Sequence, residues 1–187
     1  MARRAKLAGQ GVAIGLVALL FVLLVWRLVS HDHGALAAAV SRGQQPTAPG
    51  FTSSRIDRGG KLSLSALRGK TVLVNFFASW CTPACTVEAP ELEKTWQAYR
   101  RSGLVVLGVD WQDLRSDARR FMRRFDLTYP VVADGSGSIG ERYGLTGLPE
   151  SYLVDRHGRV VAAFVGSINT VADRARLRRS IERALRQ

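Results

Sequence analysis

The chain has 187 residues, of which 47% are hydrophobic and 22% are charged, enough for one well-cored domain and an appendage. Its formal net charge of +12 comes largely from a basic N-terminus and from arginines near the C-terminus. Arginines spread along a closing helix indicate a solvated helix face. A nucleic-acid role is not expected, because the N-terminal segment described next predicts that the domain is exported.

The N-terminal 30 residues have the pattern of a membrane anchor. Residues 11–26 contain no charged side chain and follow a small cluster of basic residues. The apolar character continues further, so the segment reaches the roughly 20 residues that a bilayer requires. We therefore predict a cytoplasmic basic segment (1–10) and a single transmembrane signal anchor (11–30), with the rest of the chain on the extracytoplasmic face of the membrane. Cleavage within the small-residue stretch 35–39 is the alternative.

A linker and a folded domain are expected to follow. Residues 31–50 are rich in Ala, Gly, Gln, Pro and Ser and show no periodicity, which predicts a flexible linker. The domain is predicted over residues 51–187. It is expected to open with an antiparallel ribbon, because residues 51–56 and 61–64 flank a turn rich in Asp and Gly.

The remaining elements alternate between strands and helices. Thr71–Phe77 is a nearly continuous run of β-branched and aromatic residues, typical of a central strand buried on both faces. The patterns then predict, in chain order, a helix (84–101), a strand (104–110), a helix (114–125), a strand (130–133), a short helix (138–143), a hairpin (151–155 with 159–165) and a closing helix capped by Asn169 or Thr170. This order predicts a thioredoxin-like α/β domain, with a central mixed sheet flanked by helices.

The two cysteines of the chain, Cys81 and Cys85, stand where the predicted central strand ends and a helix begins. Open α/β sheets place their active sites at this edge. A thiol near a helix N-terminus lies in the field of unpaired N–H groups, which favours the reactive thiolate. Outside the cytoplasm two such thiols persist as a disulfide. The pair therefore indicates redox chemistry.

The Cys-x-x-x-Cys spacing is one residue longer than the usual redox pair. In an ideal helix, residues four apart have Cβ atoms about 5–6 Å apart, whereas a disulfide needs about 3.8 Å. Either Cys81 lies on the loop before the helix, or a one-residue bulge accommodates Ala84.

Several separated motifs resemble the TlpA/ResA/DsbE (CcmG) family of membrane-anchored thioredoxin-like thiol-disulfide oxidoreductases. Residues 62–70 and 74–81 resemble the approach to that family's active site. Residues 108–110 resemble its next strand, and residues 147–160 resemble its cis-proline loop and the hairpin that follows. The resemblance covers residues 49–187.

The resemblance implies a role for each site residue. Cys81 would be the exposed attacking thiol and Cys85 the resolving thiol. Pro149 would be a cis-proline beside them that holds an extended partner chain, and Trp80 would wall the site.

Two glutamates stand close to these residues in the sequence. Glu88 follows Cys85 by one helical turn, and Glu150 follows Pro149. Both are candidates for modulating thiol ionisation or proton transfer, and the alternative for each is an ordinary partly exposed side chain.

The resemblance implies a reductase of disulfides in exported proteins, with apocytochrome c as the leading substrate during cytochrome c maturation. The electrons would come from an integral-membrane electron-donor protein. We expect no organic cofactor and no metal, because the sequence contains no nucleotide-binding motif and the chemistry runs through sulfur.

The longer cysteine spacing leaves two other functions open. Residues 82–88 resemble a peroxiredoxin active site, in which Cys85 would attack a peroxide. Sco-type copper chaperones bind copper through a Cys-x-x-x-Cys pair and a distant histidine. Only His157 is available in the predicted domain, in a hairpin turn expected at the far end of the strand from the thiols.

Overall fold

The structure is a computed structural model that describes residues 15–23 and 34–187. Residues 15–23 are helical (α1), and residues 34–187 belong to a separate compact unit. Within these described ranges, no helix is both long and apolar enough to cross a membrane. The predicted basic segment (1–10) and the two ends of the predicted anchor (11–30) lie outside the described residues.

The unit of residues 34–187 alternates strands and helices. Its helices are α2 (Ala35–Ser41), α3 (Ala84–Tyr99), α4 (Arg115–Arg124), α5 (Ser138–Tyr143) and α6 (Val171–Arg186), with 3₁₀ turns at Ser65–Leu67 and Arg100–Ser102. Its strands are β1 (Thr52–Ser54), β2 (Lys61–Ser63), β3 (Thr71–Phe77), β4 (Leu104–Trp111), β5 (Val131–Asp134), β6 (Glu150–Val154) and β7 (Val160–Val165). The predicted elements after residue 51 are confirmed, with ends that differ by one or two residues.

Five strands form a mixed sheet in the order β5-β4-β3-β6-β7. The central strand, β3, is buried at all seven positions, as its apolar sequence predicts. It runs parallel to β4 and antiparallel to β6. Because Phe77 pairs with Asp110 and Phe76 pairs with Glu150, the end of β3, the end of β4 and the start of β6 meet at one edge of the sheet.

The two faces of the sheet have different cores. Alternate residues of β3, including Leu73 and Phe77, face a layer formed by α3, α4 and α6, and both cysteines belong to this layer. The other face packs Phe76 against Tyr143 of α5 and Tyr152 of β6. We call these the cysteine face and the tyrosine face.

Two smaller predictions about the ends of the domain are confirmed. The antiparallel ribbon is β1 paired with β2, with Thr52 opposite Ser63. Helix α6 is capped by Thr170, whose hydroxyl accepts a hydrogen bond from the Asp173 N–H while the Asp173 side chain accepts one from the Thr170 N–H.

The predicted flexible linker over residues 31–50 is wrong for its described part. Helix α2 packs its Leu36 and Val40 side chains against the tyrosine face. The chain that follows pairs with the end of the domain, since the Ala48 N–H donates to the Gly158 carbonyl and Thr47 bridges to Arg159. The compact unit therefore begins before residue 51. The local sequence carried only a weak signal for this helix, the high helix propensity of an alanine-rich segment.

Candidate functional site

Cys81 and Cys85 are joined by a disulfide at the edge where β3 ends. Cys81 lies on the loop between β3 and α3, and Cys85 lies in the first turn of the helix. This is the first of the two arrangements that the spacing allows, and it brings the Cα atoms to 5.4 Å. The Cys85 N–H donates to the Cys81 carbonyl at 3.1 Å, which ties the loop to the helix start.

The two sulfur-bearing residues differ in access to solvent. Cys81 is 8% exposed and Cys85 is 2% exposed. Trp80 precedes Cys81 and is 53% exposed; its indole N–H donates to the Gln112 carbonyl at 3.3 Å. The Trp80 ring also packs on Trp111, with ring centroids 6.1 Å apart. An incoming group therefore reaches Cys81 before Cys85, beside an exposed indole.

Glu88 lies fully inside the protein, one helical turn after Cys85. It is 1% exposed, so an ordinary partly exposed side chain is ruled out at this position. Its two carboxyl oxygens accept hydrogen bonds from Asn75 Nδ2 and from the Ile168 N–H, both at 3.1 Å. Burial raises the pKa of Glu88 from 4.5 to about 7, and the two hydrogen bonds oppose that rise. A carboxyl group with this pKa can exchange a proton near neutral pH.

Pro149 follows a cis peptide bond, as the resemblance implies, and immediately precedes strand β6. The structure also has a cis bond before Pro83, between the two cysteines, which the sequence analysis did not predict. Since Glu150 pairs with Phe76 near the end of β3, the cis-proline loop lies at the same sheet edge as the disulfide.

Glu150 is also buried, and its hydrogen bonds are made within the cis-proline loop and β6. One carboxyl oxygen accepts from the Thr146 and Gly147 N–H groups at 2.9 and 3.2 Å. The other accepts from the Tyr152 hydroxyl at 2.7 Å. These contacts brace the loop that presents Pro149.

Comparisons with known proteins agree with this geometry. The sequence profile of the Redoxin family matches residues 43–181. The thiol-disulfide oxidoreductase ResA of Geobacillus thermodenitrificans is 33% identical over 122 residues, which cover 65% of this chain and 69% of that protein. The ResA of Bacillus thuringiensis subsp. konkukian is 32% identical over 119 residues, covering 64% of this chain and 68% of that protein.

The solved structures include a similar protein from Chlorobium tepidum, a thiol:disulfide interchange protein of the thioredoxin family. It has a TM-score of 0.65 and 27% identity, and the match covers 76% of this chain and 97% of that one. The chain belongs to the TlpA/ResA/DsbE-like family of redoxins. It is a thiol-disulfide oxidoreductase with a thioredoxin-like fold, and Cys81 and Cys85 are its disulfide-forming pair.

Three polar residues of this oxidoreductase were missed by the sequence analysis. Asn75 on β3 donates to Glu88 and also to Ser151 Oγ at 3.0 Å. Asp110 ends the pairing of β4 with β3, and Asp113 accepts a hydrogen bond from the Ser79 N–H. The signal was a polar side chain within an apolar strand (Asn75) or near the end of one (Asp110), because such a group is rarely buried without a purpose.

His157, the histidine considered as a third copper ligand, lies in the turn between β6 and β7. Val154, which ends β6, pairs with Val72 near the start of β3, so this turn lies at the opposite edge of the sheet from the cysteines. Within residues 15–23 and 34–187, no group of three or more His, Cys, Asp or Glu side chains is arranged to hold a metal ion.

Proposed function

We propose that this thiol-disulfide oxidoreductase acts outside the cytoplasm as a reductant of disulfides in exported proteins, with apocytochrome c as the leading substrate. The observation that carries the proposal is the asymmetry of the disulfide. Cys81 is the more accessible sulfur, beside the exposed Trp80 and at the same sheet edge as the Pro149 loop, while Cys85 is buried behind it.

The reduced pair would transfer two electrons in two steps. The Cys81 thiolate attacks a substrate disulfide, forming a mixed disulfide and releasing one substrate sulfur as a thiolate, which takes up a proton. Cys85, deprotonated, then attacks the Cys81 sulfur. The internal disulfide forms and the second substrate sulfur leaves as a thiolate. This second thiolate also takes up a proton, so the substrate has gained two electrons and two protons, in place of the two protons that Cys81 and Cys85 gave up.

Glu88 would act on the second step. Glu88 follows Cys85 by one helical turn, and its carboxyl group has a pKa of about 7, so we propose that it takes the proton that Cys85 loses. Asn75 and the Ile168 N–H hold the carboxyl group in place when it is charged. Glu88 is therefore proposed as a proton acceptor for the buried thiol.

Three residues would position the substrate. Pro149 presents a stretch of backbone without an N–H group at the sheet edge, where an extended substrate chain can lie. Glu150 supports this role indirectly by bracing the loop through its hydrogen bonds. Trp80 offers an apolar surface to the groups around the substrate disulfide.

The location and the electron source complete the proposal. The apolar segment of residues 11–30, which follows basic residues, supports a single-pass anchor with residues 31–187 outside the cytoplasm. An integral-membrane electron-donor protein would reduce the internal disulfide again. No organic cofactor or metal is required, because the electrons pass between sulfur atoms throughout.

Trapping of the mixed disulfide tests the substrate. In the full chain expressed in cells, Cys85→Ser should accumulate reducible adducts through Cys81 that contain exported proteins, including apocytochrome c. The matched control, Cys81→Ser, leaves only the buried sulfur and should trap far less. Adducts that lack exported proteins, or that form through Cys85 alone, would contradict the proposed substrate and mechanism.

Alkylation of living cells tests direction and location together. A membrane-impermeant maleimide should label Cys81 in intact cells, and acid-quenched samples should show the pair mainly reduced. A pair that is mainly oxidised at steady state would indicate an oxidase. A pair that is labelled only after lysis would place the domain inside the cell.

The same variants separate the peroxidase alternative. A peroxidase centred on Cys85 would keep its hydroperoxide consumption in Cys81→Ser and lose it in Cys85→Ser. We expect no such pattern, since Cys85 is 2% exposed.

A further inference from the structure

Asp110 is a further buried carboxyl group, on the strand side of the cysteine loop rather than the helix side that carries Glu88. Asp110 is 1% exposed and stands on β4 directly beside Phe77, the last residue of β3. Within the described part of the chain, no N–H or O–H group donates to either of its carboxyl oxygens. A charged aspartate in this position would be costly, because it is shielded from bulk solvent and no described N–H or O–H group donates to it.

The side chain that acts most strongly on Asp110 is that of Asp113, three residues later, through its charge and a hydrogen bond between the two carboxyl groups. Asp113 accepts two backbone hydrogen bonds, from the Ser79 N–H at 2.6 Å and from the Leu114 N–H at 2.7 Å. It therefore connects the start of α4 to the loop that carries Trp80 and Cys81.

Two carboxylates contain only hydrogen-bond acceptors, so they attract each other only when one of them carries a proton. We propose that Asp110 and Asp113 share one proton, with Asp110 as the donor, and that this pair positions the loop of Trp80 and Cys81 for thiol-disulfide exchange. The assignment of the pair to exchange rests on the proposed function. Asp110 and Asp113 are positioning residues, because neither is required to touch the reacting sulfurs.

The surroundings of Asp110 favour the protonated state at neutral pH. Burial, followed by the charge of the neighbouring Asp113 and the hydrogen bond with it, raises the pKa of Asp110 from 3.8 to about 8. Of the charged side chains near it on α4, Arg115 lowers this pKa and Asp117 raises it. Above about pH 8 the pair would carry two negative charges, and the repulsion would disturb the contact between Asp113 and the Ser79 N–H.

Nuclear magnetic resonance of the full chain in detergent micelles tests the shared proton. The carboxyl carbon of Asp110 should titrate with a midpoint near pH 8, and the Ser79 amide resonance should move with the same midpoint. In Asp110→Asn the side-chain amide still donates to Asp113, so the Ser79 resonance should stay near its neutral-pH position throughout. An Asp110 midpoint below pH 6, or a Ser79 titration that persists in Asp110→Asn, would overturn the proposal.

The rate of Cys81 reaction with oxidised glutathione then tests positioning. For the reduced wild-type protein, part of this rate should be lost above pH 8, where the pair becomes fully charged. For Asp110→Asn, that loss of rate should be absent. Asp110→Ala, which removes the donor, should slow the reaction about tenfold at pH 7, and Asp110→Asn should restore most of that loss. Asp126→Asn, an exposed change just beyond the other end of α4, is the matched control for charge. Equal rates in Asp110→Ala and wild type would overturn the positioning role.

The two proposals fail separately. Should the protein not reduce exported proteins, the trapping experiment fails while the Ser79 titration and the glutathione rates stay as expected. Should Asp110 and Asp113 share no proton, the Ser79 amide does not respond to Asp110, whatever the substrate is.

Discussion

The two sides of the cysteine loop each bury one carboxyl group, but they supply it with different partners. On the helix side, Glu88 accepts hydrogen bonds on both oxygens, from Asn75 and from the Ile168 N–H. On the strand side, Asp110 has no N–H donor among the described residues and lies against another carboxyl group. An aspartate ordinarily has a lower pKa than a glutamate, yet here the pKa of Asp110 rises to about 8 and that of Glu88 to about 7.

The difference shows that burial alone does not determine what a carboxyl group can do. Both groups are desolvated, which raises both pKa values. The donors around Glu88 stabilise its charged form, so it can lose and gain a proton near neutral pH. The absence of such donors keeps Asp110 protonated. The helix side is therefore suited to proton transfer, and the strand side is suited to positioning the backbone of the cysteine loop.

The largest effect is expected from removing the acceptors on the helix side. Glu88→Met removes the acceptor of one Asn75 amide hydrogen and of the Ile168 N–H, both buried, which should lower the unfolding free energy at pH 6 by about 2–4 kcal/mol. Asp110→Asn, which orphans no donor of the neighbouring residues, should change it much less. Chemical denaturation of the oxidised protein measures both. Similar losses in the two variants would remove the contrast between the two sides.

The pH dependence of stability sharpens the same contrast. The pKa of Glu88 is raised from 4.5 to about 7 in the folded protein, so between these values the folded protein keeps a proton that the unfolded chain has lost. The unfolding free energy should therefore fall as the pH rises from 4.5 to 7, by roughly 3 kcal/mol in all from this residue.

Glu88→Gln has no titrating group at this position, so its unfolding free energy should decrease less between pH 5 and 7 than that of the wild type. The pKa of Asp110 is raised from 3.8 to about 8, so Asp110→Asn should reduce the slope across this whole range and remove the part that continues from pH 7 toward pH 8. A series of denaturation curves at half-unit pH intervals measures both slopes. A wild-type stability that rises across this window would show that the sign is wrong.

Much of the fold followed from sequence patterns, whereas the polar site did so only in part. The apolar run of Thr71–Phe77 predicts a central strand, and the cysteine position follows from where that strand ends. The burial of Glu88 could not be predicted from helical spacing, because its donors come from β3 and from the segment before α6. Such contacts join residues far apart in the chain, and one sequence gives no sign of them.

Helix α2 shows a different kind of failure. Its Ala-rich sequence has a high helix propensity, but seven residues are too few to form a stable helix alone. The packing of Leu36 and Val40 against the tyrosine face supplies the missing stabilisation. A composition rich in small residues was interpreted as a linker because that tertiary contact is not visible in the local pattern.

The tyrosine face offers a similar comparison between two buried hydroxyl groups, with a smaller expected effect on stability. The Tyr152 hydroxyl donates to Glu150 at 2.7 Å, whereas the buried Tyr143 hydroxyl has no hydrogen-bond partner among residues 34–187. We expect Tyr152→Phe to lower the unfolding free energy by about 1 kcal/mol. Tyr143→Phe should leave it unchanged or raise it slightly, because no hydrogen bond is lost. Equal losses from the two variants in urea denaturation would contradict this difference.

The smallest effect on stability is expected at the exposed end of the strand side. Trp80 is 53% exposed, and its indole N–H donates a hydrogen bond to the Gln112 carbonyl. Trp80→Ala should change the unfolding free energy by no more than about 0.5 kcal/mol, which denaturation measures. The same variant should raise the KM for a disulfide-bonded peptide, since the proposed contribution of Trp80 is contact with substrate. Trp80→Phe keeps an aromatic ring against Trp111 and should recover most of that KM. A Trp80→Ala variant that loses stability and leaves KM unchanged would instead assign the indole to the structure of the loop that Asp113 holds through Ser79.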